Sequence, residues 1–314
     1  MAYGADTTTD EVLDGVDLTG KKILVTGASA GLGQEASRAL AAHGATVIMT
    51  ARDRAKGEAA VAAIWESVPE ADLELRLVDL ASLDSVRDFT DGFRADHDRL
   101  DGLIGNAGVM ACPQATTSDG FELQFGTNHL GHFVLVNRLA PTLVAGAPSR
   151  LVMLSSRGHQ LSDVDLDDPG FERTPYNKWD AYGRSKTANV LFAVGFDRRH
   201  ANAGARGLAV HPGTILTELG RHLEANDIEE LQRRRPGGAA AMHFKSVEAG
   251  AATEVWGATA PELEGRGSMY LEDCHVAEVS HQPGTEGVMD YAVDPARADA
   301  LWTRSEELVG ERFS

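Results

Sequence analysis

Tyr182 and Lys186 stand four positions apart in the segment AYGRSKTANVLF (181–192). In a helix, residues i and i+4 share one face, so a phenol and an ammonium would lie side by side. A phenol with its usual pKa near 10 is a poor base at neutral pH. A neighbouring cation favours the phenolate and brings it towards the working range. Such a pair can take a proton from a reacting oxygen or return one to it. At ordinary lysine usage about one tyrosine in twenty has such a partner by chance. Spacing alone therefore specifies little, and a surface pair is the ordinary reading.

The elements that would position this pair strengthen it. Apolar runs at 22–26 (KILVT), 46–51 (TVIMTA), 73–78, 100–104, 150–154 (RLVML) and 208–211 read as six strands. Between them, helical spacing predicts helices over 32–43, from the second strand to about 67, and over 83–96, 121–144 and 181–202. Nearly unbroken apolar strands alternating with helices indicate an α/β fold, a doubly wound parallel sheet covered on both faces. In such folds ligands bind at the carboxyl edge of the sheet. Asp79-Leu80, Asn106-Ala107-Gly108 and Ser155-Ser156 follow the third, fourth and fifth strands at that edge. Asn128 adds a polar side chain inside the long helix after the fourth strand.

Thr26-Gly27-Ala28-Ser29-Ala30-Gly31-Leu32-Gly33 lies between the first strand and the helix after it. That is the setting of a dinucleotide fingerprint, in which a pyrophosphate meets backbone N–H groups at a helix N-terminus. Side chains at Gly31 or Gly33 would hold the anion off the backbone. The second strand ends Thr50-Ala51-Arg52, without the acidic residue that would accept ribose hydroxyls. A guanidinium there can pair with a 2′-phosphate, so NADP(H) is favoured over NAD(H). Asp53 comes one position too late for the ribose unless the loop shifts, and Arg52 could instead simply open a surface helix.

Composition sets the outer bounds. The chain has 314 residues, 43% of them apolar, enough for one α/β domain with a sizeable core. A formal charge of -18 argues against nucleic acid and anionic membrane as partners. Two cysteines, Cys112 and Cys274, read as reduced thiols, too few for a disulfide framework or a four-ligand zinc site. Residues 1–11 are polar and acidic, unlike a signal peptide, and no apolar run reaches the length of a membrane span. A soluble cytoplasmic protein is expected.

The motifs together are similar to the short-chain dehydrogenase/reductase family over nearly the whole chain. They are TGASAGLG (26–33), ARD (51–53), NAG (106–108), NHLGHF (128–133), LSS (154–156), AYGRSKTANVLF (181–192) and HPGTILTELGRH (211–222). Within the family the chain resembles the branch of retinol dehydrogenases and the WW-domain oxidoreductase, as does GSMYLEDC (267–274). The 26-position interval from Ser156 to Tyr182, long for the family, fits that branch. The resemblance implies a single Rossmann domain over 1–314. It would carry a leader at 1–20, a small substrate lid at about 215–245 and a C-terminal extension at 283–314.

It also implies roles. Tyr182 would be the general acid/base, with Lys186 tuning it and holding the nicotinamide ribose. Ser156, in preference to Ser155, would orient the substrate oxygen, and Asn128 would hold a water that relays protons to Lys186. Gly27, Ser29, Ala30, Gly31, Leu32 and Gly33 would line the phosphates, and Arg52 would take the 2′-phosphate. Asp79, with Leu80, would meet the adenine. Asn106, with Ala107 and Gly108, would support the ribose, and Pro212, Gly213 and Thr217 would enclose the nicotinamide end. Two departures stand out: residues 1–20 are too polar for the anchor of membrane-bound retinol enzymes, and Ala30 replaces the basic residue that grips a 2′-phosphate in other members.

The expected activity is interconversion of an alcohol with a ketone or aldehyde on a small hydrophobic substrate, by hydride transfer with NADP(H) and without a metal. The alternatives are a catalytically silent dinucleotide sensor or scaffold, and reduction of a carbon–carbon double bond. A homo-oligomer through the two long helices fits the family, though the C-terminal extension could cover that surface. Weaker signals have plain counterparts. His129 and His132 read as packing residues rather than a metal pair, and His211 as a residue that sets the local backbone. Arg157 and His159 could rim the substrate cleft or sit in an ordinary loop, and Trp179 could touch substrate or fill the core. The charged run before Arg235 could be lid or solvated helix.

Overall fold

A computed structural model of the chain describes residues 3–215, 218–220, 223, 225–234, 243–284 and 286–313. Its centre is an eight-stranded sheet. The strands are β1 (Lys22–Val25), β2 (Thr46–Ala51), β3 (Leu73–Leu77), β4 (Gly102–Gly105), β5 (Ser149–Leu154), β6 (Ala205–His211), β9 (Met269–Glu272) and β10 (His275–Val276). A short parallel pair, β7 (Thr214–Ile215) with β8 (Phe244–Lys245), lies outside it. In space the order is β3-β2-β1-β4-β5-β6-β9-β10, parallel throughout except for the β9–β10 hairpin. The chain order reverses between β1 and β4, which opens a crevice at their carboxyl ends. The six strands expected from the sequence are present, and the hairpin extends the sheet beyond them.

Helices cover both faces. The first face carries α1 (Thr9–Leu13), α2 (Gly31–Ala42), α3 (Arg54–Ser67) and α9 (Val247–Thr259). The other carries α4 (Leu83–Asp96), the long helix after β4, α7 (Lys178–His200), the short α10 (Asp290–Val293) and α11 (Pro295–Val309). β5 shows how one strand serves both layers: Leu151 and Met153 enter one apolar cluster, Val152 and Leu154 the other. This is the period-two alternation of a strand buried on both sides.

Side-chain caps fix the helix starts. Ser82 Oγ accepts from Ser85 N, Asn177 Oδ1 from Trp179 N and Asp180 N, and Asp294 accepts from Arg297 N just before Pro295. The Asn177 cap starts α7 three residues earlier than its apolar spacing suggests. The long helix after β4 is not uniform. A short α5 (Leu123–Phe125) passes through a π-helical turn, Gly126–Leu130, into α6 (Gly131–Ala145). The wider turn falls on Asn128, and such insertions are frequent at functional sites.

α11 packs along α6 and α7. Trp302 meets Phe133 edge-on at 5.1 Å, and Ser305 Oγ bonds His129 Nε2 at 2.8 Å. The C-terminal extension thus covers the two long helices. Among the described residues no helix is long and apolar enough to cross a membrane. Cys112 and Cys274 are both buried free thiols.

Candidate active site

The loops after β1 to β6 converge at the carboxyl edge of the sheet. The glycine turn leaves β1 with Gly27 at φ 67° and Gly31 at φ 56°, backbone that favours glycine. A Cβ on Gly27 would stand 2.8 Å from Ala107 Cα, and one on Gly33 would stand 2.4 Å from Asn106 Nδ2 and 2.6 Å from Gly27 O. Gly33 therefore serves close packing of turn against helix. α2 opens at Ala30 with no side-chain cap and no acidic residue in its first turn. Its N-terminal amides and the positive end of its dipole face the crevice mouth, an anion cradle for a pyrophosphate.

The turn is locked from behind. Asn106 Nδ2 donates to Thr26 O at 2.8 Å and to Gly27 O at 3.3 Å, and Thr26 Oγ1 accepts from Ala107 N. Asn106 thus shapes the cradle through its side chain, where the resemblance had it supporting the ribose. His132 extends the lock. Its Nε2 lies 2.9 Å from Thr26 Oγ1 and its Nδ1 3.0 Å from Asn128 O. A carbonyl can only accept, so Nδ1 carries the proton and Nε2 accepts from the threonine. Burial holds His132 neutral, its pKa lowered to about 4.

The second and third strands end in the residues that the resemblance assigns to the adenosine half of a dinucleotide. Arg52 is exposed at the tip of β2, and Asp53 is turned away as the N-cap of α3, accepting from Lys56 N at 2.9 Å. Asp53 is therefore not poised for a ribose. Asp79 Oδ1 accepts from Ala81 N, which fixes the turn after β3, and Leu80 is buried against the Gly131 turn.

Asn128 is fully buried. Its Oδ1 accepts from Val109 N at 2.8 Å, and its Nδ2 donates to Val109 O and Ser185 Oγ, each at 2.9 Å. Both amide hydrogens are spent on protein, so the side chain clamps the loop after β4 to α7. Gly108 shows how tightly the centre is drawn together: a Cβ there would stand 3.1 Å from Asn128 Oδ1 and 3.6 Å from Lys186 Nζ.

Lys186 is 3% exposed, and its Nζ donates to Leu154 O at 3.0 Å and lies 5.7 Å from the centre of the Tyr182 ring. Burial lowers the ammonium to about 8, and no anion among the described residues offsets it. Tyr182 is buried beside it, its ring pressed onto Gly158, where a Cβ would stand 2.6 Å from Cε1. The two adjacent serines separate cleanly. Ser155 Oγ is buried and donates to Lys186 O at 2.9 Å, whereas half-buried Ser156 accepts from Gly158 N at 3.0 Å and keeps its own proton to donate.

After β6, His211 is buried and its Nδ1 accepts from Arg157 N and Gly213 N, so it sets backbone as expected. Gly213, at φ 100°, makes room for the Lys245 side chain. Pro212 is buried beside it, and Thr217 lies outside the described residues. Part of the expected lid forms α8 (Ala225–Arg234), tied to the first turn of α7 by the Lys178–Asp227 pair and by Arg234–Asp180 at 2.6 Å. Trp179 is core, and His129 is packed among Phe125, Phe133 and Phe192.

The interval between Ser156 and Tyr182 is itself ordered. A 3-10 turn, Arg157–Leu161, is followed by a loop built around Asp168. That carboxylate accepts from the backbone N–H groups of Glu172, Arg173 and Thr174 and from Thr174 Oγ1. His159, expected at a cleft rim or in a loop, is wholly buried. Nothing in the local sequence signals this, because the residues that cover it, Tyr270, Met289 and Tyr291, lie more than a hundred residues away.

A family model described as short chain dehydrogenase matches residues 21–228. The chain belongs to the short-chain dehydrogenase family. Human retinol dehydrogenase 14 is 39% identical over 93% of this chain and 87% of its own length. The human WW domain-containing oxidoreductase is 37% identical over 99% of this chain and 73% of its own. A crystal structure of a Mycobacterium paratuberculosis protein aligns with a TM-score of 0.74 at 33% identity over the full length of both. As a short-chain dehydrogenase of this branch, the chain is an oxidoreductase of CH–OH groups that uses NAD(P)(H).

Proposed function

We propose that this short-chain dehydrogenase interconverts an alcohol with a ketone or aldehyde on a small hydrophobic substrate, using NADP(H), with Tyr182 as general acid/base. The observation that carries this is Lys186: a buried ammonium with no offsetting anion among the described residues, beside the Tyr182 ring and one helical turn along α7. Its charge favours phenolate over phenol, so Tyr182 can accept the hydroxyl proton of an alcohol or return one to a carbonyl oxygen. Ser156, its oxygen oriented by Gly158 N, donates its hydroxyl proton to the same substrate oxygen and steadies the charge that develops there. Asn128 fixes the loop after β4 and Ser185 around this centre. When bound, the nicotinamide supplies or accepts the hydride.

The uncapped start of α2 and the glycine turn would hold the pyrophosphate, and Arg52 would hold the 2′-phosphate. Hydrophobic character in the substrate follows the naming of one relative as a retinol dehydrogenase. Substituting Tyr182→Phe is expected to lower turnover about 10²–10⁴-fold with cofactor affinity kept, measured by steady-state kinetics and NADPH fluorescence titration. Turnover like wild type in that variant overturns the assignment. Arg52→Ala is expected to weaken NADPH by about 1.5–3 kcal/mol and leave NADH unchanged. Equal loss for both cofactors would remove the NADP preference.

A further inference from the structure

Ser156 is held by its carbonyl as well as by its hydroxyl. Ser156 O accepts from His159 N at 3.0 Å and lies 2.7 Å from His159 Nδ1, which Tyr270 Oη also approaches, at the longer distance of 3.3 Å. On the far side of the imidazole, Nε2 accepts from Met289 N at 3.1 Å. The carbonyl can only accept and the amide can only donate, so His159 carries its proton on Nδ1 and is neutral. Complete burial agrees, holding its pKa down to about 4.

The contact with Met289 is one of several. Tyr291 Oη donates to His159 O at 2.7 Å, and Thr187 Oγ1, next to Lys186 on α7, shares its proton between Ser162 O at 2.8 Å and the same His159 carbonyl at 3.1 Å. Gln160 Nε2 donates to Gly287 O at 3.1 Å and its Oε1 accepts from Gly284 N at 3.0 Å. Gly287 N in turn donates to the buried Glu272 at 2.7 Å. Residues 286–291, which include the strand Val288–Met289, therefore form a wall behind the turn that carries Ser156. The imidazole is the strut between them.

We propose that His159 is a positioning residue, whose Nδ1–H fixes the Ser156 carbonyl, and with it the direction of the Ser156 hydroxyl, against the wall formed by residues 286–291. This deepens the proposed function and rests on Ser156 acting at the substrate oxygen. The two ring nitrogens have separable jobs. Nδ1 orients Ser156, while Nε2 anchors the C-terminal wall. An asparagine can place an N–H near the Nδ1 position, and a glutamine can place an acceptor near Nε2.

The test compares His159→Asn with His159→Gln, each in the wild-type chain and in Ser156→Ala. Activity is read as NADPH oxidation with the straight-chain aldehyde that the wild type reduces fastest, stability as the urea midpoint, and cofactor binding by NADPH fluorescence. Asn is expected to keep kcat within about threefold, although it loses the Met289 contact and some stability. Gln is expected to keep the urea midpoint more nearly and to lower kcat about tenfold or more, since small misplacements of reacting groups are costly. NADPH affinity stays unchanged in both, and in the Ser156→Ala background the Gln effect on kcat disappears.

A kcat that follows the urea midpoint, or a Gln effect that persists without the Ser156 hydroxyl, overturns the positioning role. If Ser156→Ala alone leaves kcat unchanged, the catalytic reading beneath it falls instead, so the two failures are distinguishable.

Discussion

Lys186 and Glu254 make an instructive pair. Each is sealed in the interior, on helices that cover opposite faces of the sheet, α7 and α9. Burial drives each towards its neutral form: Lys186 falls to about 8 and Glu254 rises to about 8. Their surroundings differ. The ammonium has the Leu154 carbonyl as acceptor and stands with Tyr182, Asn128 and Gly108 at the convergence of several loops. Neither carboxyl oxygen of Glu254 has a hydrogen-bond partner among the described residues, and no charged group contributes to its shift. A displaced pKa marks a site only where the fold also delivers groups that can use it.

The largest effect that would separate the two concerns turnover. Lys186→Met is expected to lower kcat about 10²–10⁴-fold with the fold as stable as before or more so. The Leu154 carbonyl keeps Asn189 Nδ2 as a donor at 3.0 Å, so removing the ammonium leaves no orphaned acceptor. Steady-state kinetics with urea denaturation checks this. Loss of stability in step with activity would reduce Lys186 to a structural residue and dissolve the contrast.

The second test concerns pH. Below its ordinary value of 4.5, Glu254 is protonated both folded and unfolded and imposes no pH-dependent penalty. Between 4.5 and about 8 the unfolded chain releases the proton while the folded chain keeps it, so stability falls as pH rises. From pH 4.5 to 7 this amounts to about 3 kcal/mol. Glu254→Met is expected to flatten that slope, raise stability at pH 7 by a similar order, and leave kcat alone. Urea midpoints from pH 5 to 8 decide it. A fall in kcat in this variant would give α9 a part in the chemistry and break the comparison from the other side.

How much of this was legible in the sequence follows from the range of the forces involved. The cradle is local: Gly27, Gly31 and the uncapped start of α2 belong to one strand–turn–helix unit, and their pattern is visible in a short window. Tyr182 and Lys186 are likewise one turn of one helix. The groups that orient them are not local. Asn106 locking Thr26, Asn128 clamping Val109 and Ser185, and His159 bridging Ser156 to Met289 each need a partner from another element. A lone histidine in a polar loop carries no mark of such a partner. The π-helical turn at Asn128 was hidden for another reason, since its apolar spacing resembles that of the helix on either side. α9, rich in alanine and glycine and buried broadly, offers little periodicity to read.

The smallest effect falls on the two adjacent serines, which repeat the Lys186–Glu254 contrast within one loop. Ser155 gives its proton to the Lys186 carbonyl inside the protein, so it joins β5 to α7 and has none left for a ligand. Ser156 accepts from Gly158 N and retains its proton for a substrate oxygen. Ser155→Ala is therefore expected to cost about 1 kcal/mol of stability while kcat changes little, the neighbouring carbonyl losing one of its hydrogen bonds. Ser156→Ala should instead lower kcat sharply, at a similarly small cost in stability because the Gly158 N–H loses its acceptor. If Ser155→Ala lowers kcat as far as Ser156→Ala does, the Ser155 hydroxyl is setting the register of α7 beneath Tyr182. The division between a hydroxyl that builds and one that reacts would then have to be drawn elsewhere in the loop.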